Sequence, residues 1–345
     1  MKKAWVCVSV VCSLLASGAL LATETKVKTQ TAPFNGKRTK VFTDKGGTVH
    51  LTFNDHGNIF YSRRDAADAD FSNPIQVNSI DKSGAISELA VGKDGSVHVV
   101  YHGNIQYVRQ QIKAEDRKVS GSDIKYTFYS RLNKDGDAFE SQRDISDNVW
   151  GFDGGCAIAG DSSGNVYVFM GGTTKKGKET DRRVFLRHST DNGETFSDPR
   201  PIDLGKGVCM CCHLKAQTAP NGDVMLAYRV AEDSVNRDSY LLTSKDQGQT
   251  FREQALDQWE LRACPGSVYS FVNVDDQTLV SWRNQEEVYF GIDGAKAVSP
   301  PDKKLKRRVA VLGNNAKGEV LMAWVEGENF NKPHHLRWQM YDKEG

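Results

Sequence analysis

Sustained helical periodicity is missing from this chain: nowhere in its 345 residues do apolar side chains recur at the three-to-four-residue spacing of an amphipathic helix. That absence excludes helical bundles and folds with crossover helices. Excess charge is missing too. Lys plus Arg number 45 and Asp plus Glu 44, a formal net charge of +1, so no global field favours nucleic acid or an anionic membrane. The one basic cluster, Lys303 to Arg308, follows Pro300-Pro301 and reads as a solvated connection, with a polyanion contact as the alternative. Long apolar runs are scarce. The stretch from Ala4 to Leu15 is interrupted by Ser9 and Ser13, meets Ser17 soon after, and is short for a membrane span. Lys2 and Lys3 precede it and small residues around Ser17-Gly18-Ala19 and Ala22 follow, so residues 1–22 read as an export signal. No Leu-x-x-Cys lipobox accompanies it. The expected product is periplasmic or secreted, soluble, monomeric and without a membrane span in its mature form.

An even set of cysteines is also lacking. Seven are present, and Cys7 and Cys12 leave with the signal. Cys156, Cys209, Cys211, Cys212 and Cys264 remain, an odd set that simple pairing in an exported chain cannot use up.

What the chain does contain is repetition. The phrase Ser189 to Phe196 (STDNGETF) returns as Ser244 to Phe251 (SKDQGQTF). Ser, Asp and Gly at these spacings suit a tight turn: the Asp side chain accepts backbone N–H bonds, Gly takes positive φ, and the closing aromatic plugs a hydrophobic layer. This is the Asp-box pattern, and Asn133 to Phe139 and Asp342 to Gly345 are degenerate versions of it. A second phrase, a turn followed by a short alternating strand ending on an aromatic, occurs six times, with Gly in the turn of five copies. The copies are Gly47 to Phe53, Gly95 to Tyr101, Gly164 to Phe169, Gly222 to Tyr228, Gln277 to Trp282 and Gly318 to Trp324. Each is preceded by an apolar strand and followed by another, at Ile59–Ser62, Tyr126–Tyr129, Val184–Leu186, Tyr240–Leu242, Val288–Phe290 and Leu336–Gln339. The spacing is that of one four-stranded unit with variable loops. The expectation is an all-β fold, a six-bladed β-propeller over residues 23–345. Its last blade stops just past a third strand, and Thr25 to Ala32 could supply the fourth.

The Asp-boxes join third to fourth strands and so lie on one face. The opposite face, where the central channel opens, collects the starts of the innermost strands and the ends of the second strands. Counting from the six phrases puts every mature cysteine at the start of an innermost strand: Cys156 in blade three, Cys209 to His213 in blade four, Cys264 in blade five. The residues just after the second strands are Asn54, His102, Arg229 and Arg283. Five thiols and two guanidinium groups are thus expected around one mouth.

Asp-boxes on a six-bladed propeller, with Arg at the ends of second strands, resemble the sialidase superfamily, also called BNR-repeat proteins, over roughly residues 35–345. Val208 to Cys212, Ala227-Tyr228-Arg229, Arg237-Asp238, Trp259 and Ala263-Cys264-Pro265 look more particularly like a subgroup of exported bacterial proteins with a Cys-x-Cys-Cys element, described as exo-α-sialidase-like. The resemblance implies glycoside hydrolysis by three Arg that hold a sialic acid carboxylate, a Tyr nucleophile activated by Glu, and an Asp acid/base. Arg229 and Arg283 match two of those arginines; the alternative is structural ion pairing, for instance with Glu232 or Glu286. The Phe-Arg-Ile-Pro signature of the first arginine is absent, and Arg38 is a positional candidate only. Cys212-His213 stand where the activating Glu belongs. Tyr269 and Tyr341 are candidate nucleophiles, with core or rim packing as the bland reading.

Read on their own, Cys209, Cys211, Cys212 and His213 form a soft-ligand array suited to copper or zinc, which Cys264 and Cys156 could complete. His102, His334 and His335 are further possible ligands. The alternatives are disulfides between blade-start loops, such as one of Cys209 to Cys212 with Cys264, or reactive thiol chemistry. Arg229 nearby is expected to lower the thiol pKa values. Three function classes follow: a propeller acting on sialic acid or another anionic saccharide, a non-hydrolytic protein with a Cys-rich metal or disulfide site, or a pure interaction scaffold that needs only the rigid ring and its variable loops.

Overall fold

The computed structural model describes residues 36–68, 70–82, 84–103, 126–174, 179–203, 205–209, 211–292, 297–315, 317–329 and 334–342. They lie in one compact unit, Phe34–Gly345. The expected signal, and Thr25 to Ala32 as a closing strand, fall outside the described residues.

The strands form six separate antiparallel sheets in chain order. Blade one holds β1 (Lys37–Thr43), β2 (Val49–Asp55), β3 (Asn58–Arg64) and β4 (Ile75–Gln76). Blade two holds β5 (Gly84–Val91), β6 (Val97–Gly103), β7 (Thr127–Arg131) and β8 (Arg143–Asp144). Blade three holds β9 (Trp150–Gly160), β10 (Val166–Thr173), β11 (Arg183–Ser189) and β12 (Arg200–Pro201). Blade four holds β13 (Lys215–Thr218), β14 (Val224–Arg229), β15 (Ser239–Ser244) and β16 (Arg252–Ala255). Blade five holds β17 (Ser270–Val274), β18 (Gln277–Asn284) and β19 (Glu287–Ile292), and blade six β20 (Lys306–Asn314), β21 (Val320–Gly327) and β22 (His335–Tyr341). In blade five the fourth strand shrinks to one bridge, where Phe290 and Val298 exchange both backbone hydrogen bonds. All six repeated phrases are second strands, in line with their alternation.

The first strands of successive blades contact one another and line the centre. Hydrophobic clusters fill the wedges between neighbours: Tyr61 with Val99 and Tyr101 between blades one and two, Val100 with Ile158 and Val168 between two and three, Phe169 with Leu226 and Tyr228 between three and four. Leu241 with Trp282 and Phe290 with Trp324 continue the series. Because a middle strand is covered on both faces, β6 (VHVVYHG) and β10 (VYVFMGGT) are buried throughout, and simple alternation disappears.

The two Asp-box turns are built alike. In the first, Ser189 Oγ donates to Asp191 Oδ1 at 2.7 Å and accepts from Gly193 N at 2.8 Å, while Thr195 donates its N–H and hydroxyl to the Asp191 carboxylate. Ser244, Asp246, Gly248 and Thr250 repeat these bonds. Desolvation pushes the Asp191 carboxyl up, but its bonds from Thr195 and Ser189 together outweigh that and hold its pKa at about 2. Each closing aromatic packs on the preceding blade: Phe196 on Tyr129 and Phe251 on Phe169, both edge-on, with Phe139 of the degenerate box on Tyr61. The turns are thus inter-blade fasteners.

Candidate functional site at the channel mouth

The loop before β13 and the loop before β17 meet the ends of β14 and β18. Cys209 N donates to the Arg229 carbonyl at 3.0 Å, Arg229 Nη2 to the Arg283 carbonyl at 2.5 Å, and Arg283 Nη1 to the Pro265 carbonyl at 2.9 Å. These bonds stitch blades four and five together, and the cysteines ride on the stitch.

Arg229 is enclosed, at 1% exposure. Its Nη1 donates to the Arg237 carbonyl, and its Nη2 lies 3.7 Å from the buried Asp257 carboxylate. The anticipated partners are engaged elsewhere: Glu232 lies 3.9 Å from Lys206, and Glu286 pairs with Lys306. Arg283 is half-buried, with Nε donating to the Gln285 carbonyl at 2.7 Å. The Arg229 and Arg283 guanidinium carbons sit 5.0 and 5.3 Å from the ring centroid of Trp259. Burial, then the charges of Arg308 and Arg229, bring the Arg283 pKa down to about 10.

The two candidate tyrosines part company. Tyr269 is buried beside this cluster and donates to Ser239 Oγ at 3.1 Å, while Ser239 N donates to Asp257 Oδ1 at 2.7 Å. Burial raises the Tyr269 pKa and lifts that of Asp257 to about 6, against the opposing pull of Arg229. Tyr341 ends β22 and packs edge-on against Phe290, between blades five and six.

Four of the five cysteines gather. Cys211 and Cys264 form a disulfide with a Cα–Cα distance of 6.5 Å. Cys209 Sγ lies 2.7 Å from Cys212 Sγ and 3.7 Å from Cys211 Sγ. The sulfurs of Cys209, Cys211 and Cys212 all lie within 4.8 Å of one another and could hold a soft metal. Cys211 cannot share a bond with Cys264 and offer a thiolate at once, so a three-sulfur site fits only the reduced form. The Cys212 pKa runs opposite to expectation: burial raises it, Cys209 adds to the rise, and Arg229 offsets only part.

Cys156 departs from its expected place. β9 begins six residues earlier, at Trp150, and a bulge opposite Met170 and Gly172 lengthens it, so Cys156 lies mid-strand, paired with Met170 in the core. Its thiol pKa is raised by burial, then by Glu88. His213 also turns from the sulfurs: its Nδ1 lies 3.5 Å from Lys40 Nζ, and burial, then Lys40, holds its pKa at about 4. Arg38, exposed at the β1 bulge with φ +55°, adds positive charge there. His102 is buried in β6, and His334 and His335 are exposed at the start of β22.

A charged group that the sequence reading missed sits deeper in the channel. Glu88 on β5 is 2% exposed, is salt-bridged by Lys40 of β1, and accepts from Lys215 of β13 at 2.8 Å. Burial alone would raise its pKa, but Lys215 and Lys40 hold it at about 2. An acid inside a mainly apolar strand (AISELAV) is the signal that could have found it.

No protein-family model matches this sequence, and no curated protein matches it. Among solved structures, the chain resembles the α-L-arabinofuranosidase of Fusarium graminearum at 10% identity and a TM-score of 0.58, covering 91% of this chain and 96% of that one. The NanB sialidase of Streptococcus pneumoniae is similar at 11% identity and a TM-score of 0.55, covering 91% and 69%. A protein of unknown function from Dyadobacter fermentans matches at 14% identity and a TM-score of 0.55, covering 90% and 95%. The chain therefore has the six-bladed propeller fold seen in sialidases and arabinanases. At these identities the likeness is one of fold.

Proposed function

We propose that the protein is exported, acts as a monomer in the periplasm or outside the cell, and binds an anionic saccharide at the channel mouth without hydrolysing it. The carrying observation is Arg283. Its Nη2 has no hydrogen-bond partner among the described residues, and its charge is opposed by Arg229 and Arg308. A carboxylate or sulfate on a sugar relieves that repulsion and takes a charge-assisted bond. The disulfide is compatible with export. Among the described residues no helix is long and apolar enough to cross a membrane.

A hydrolase reading is favoured by Asp257, whose raised pKa suits a general acid and which shares Ser239 with Tyr269. Against it stands the burial of the Asp257 carboxylate, Tyr269 and Arg229, which keeps these groups back from the surface. Calorimetric titration with sialylated, uronate-bearing and sulfated oligosaccharides, alongside the matching fluorogenic glycosides, separates the two. Saturable, salt-sensitive binding lost in Arg283→Ala, with no turnover, is expected. Turnover abolished by Tyr269→Phe would establish the hydrolase, and no binding across the panel would remove the saccharide reading.

A further inference from the structure

Cys209 and Cys212 carry the Cys-x-x-Cys spacing, and their sulfurs are 2.7 Å apart. Both are 2% exposed and pack against Ala231. The adjoining disulfide differs in access: Cys211 is half-buried and Cys264 exposed. A buried dithiol thus touches a disulfide that reaches the rim, with Cys209 Sγ 3.7 Å from Cys211 Sγ. Two structural disulfides would need no such contact between the pairs.

We propose that these four cysteines form a thiol–disulfide relay that passes two electrons from the Cys209/Cys212 dithiol, through Cys211–Cys264, to an exogenous disulfide at the rim. Cys209 gives up its proton and attacks Cys211 Sγ. The Cys209–Cys211 bond forms, the Cys211–Cys264 bond breaks, and Cys264 leaves as a thiolate that takes up a proton. Cys212 gives up its proton and attacks Cys209 Sγ; the Cys209–Cys212 bond forms, the Cys209–Cys211 bond breaks, and Cys211 leaves as a thiolate that takes up a proton. The net change is an isomerisation that needs no outside oxidant: the buried pair is oxidised and the surface pair reduced. Cys211 and Cys264 then reduce the exogenous disulfide to two thiols and close their own bond again.

The relay is distinct from saccharide binding, since Arg283 takes no part in it. The test equilibrates the full chain with graded mixtures of reduced and oxidised dithiothreitol, quenches by alkylation and maps the pairs by mass spectrometry. One-disulfide protein is expected to contain both Cys211–Cys264 and Cys209–Cys212. Cys212→Ser should accumulate Cys209–Cys211 with Cys264 alkylated. Cys209→Ser should keep the wild-type circular dichroism spectrum and reduce an aromatic disulfide dye about tenfold more slowly. One-disulfide protein holding Cys211–Cys264 alone would overturn the relay. So would dye reduction by Cys209→Ser at the wild-type rate, or copper or zinc co-purifying with all four sulfurs protected from alkylation.

Discussion

Lys215 of blade four donates to Glu88 of blade two at 2.8 Å, joining the walls of the channel through a carboxylate that Lys40 of blade one also holds. Two cations against one buried anion leave this trio with a net positive charge. Removing the anion leaves the two ammonium groups facing each other, so Glu88→Ala is expected to cost about 3 kcal/mol, measured by urea denaturation at pH 7. The folded pKa, about 2, lies below the unfolded carboxyl value, so this stabilisation is present above pH ~4.5 and is lost as pH falls towards 2. Glu88→Gln should flatten that acid limb. An unchanged limb would show that the bridge does not hold the blades.

Asp257 has the opposite sign. Burial sets its folded pKa at about 6, above the unfolded value near ~3.9, so its contribution is fully present below pH ~4 and is lost as pH rises through 6. Asp257→Asn is expected to remove this loss, narrowing the stability gap to wild type as pH rises from 4 to 7. A gap that widens over this range would mean that the pairing with Arg229 outweighs the burial.

Gly193 and Gly222 separate two costs of a turn glycine. Both have positive φ, +82° and +89°. A Cβ on Gly222 meets open space, whereas one on Gly193 would lie 1.9 Å from the Tyr129 hydroxyl. Gly222→Ala is expected to cost about 1 kcal/mol in backbone strain and Gly193→Ala about 3 kcal/mol, because Tyr129 must move as well. Thermal unfolding of the two variants side by side checks this. Equal losses would remove the fastening role of the Asp-box.

The blades were legible because the alternation and the closing aromatic are local patterns repeated six times, five of them after a Gly turn. The fastening of Phe196 on Tyr129 was legible in kind, since an aromatic at a fixed turn position must be buried somewhere. The site was legible only in part. Arg229 and Arg283 lie at strand ends as counted, but the burial of Arg229 depends on the Arg237 carbonyl and on Asp257, which irregular loops deliver. Whether Cys209, Cys211 or Cys212 bonds Cys264 is decided within a few ångströms, below what spacing resolves. Cys156 was misplaced because a bulge adds length to β9 that counting back from Val166 does not reveal. Lys215 and Glu88 are 127 positions apart, so no local pattern could join them.

Leu336, Trp338 and Met340 alternate along β22 at 73%, 47% and 40% exposure, an apolar face with no covering strand among the described residues. Among the described residues blade six has three strands, and such a face on an outer edge invites association. Thr25 to Ala32, with its alternating Thr, Lys and Val, is the segment proposed to cover it. A chain lacking residues 25–32 is therefore expected to bind more of an apolar dye, to show red-shifted Trp338 emission relative to a Trp338→Phe control, and to melt at a lower temperature. Dye binding, emission and melting that match the intact chain would exclude the assignment. If the deletion produces dimers instead, β22 is confirmed as an open edge that the deleted segment had blocked.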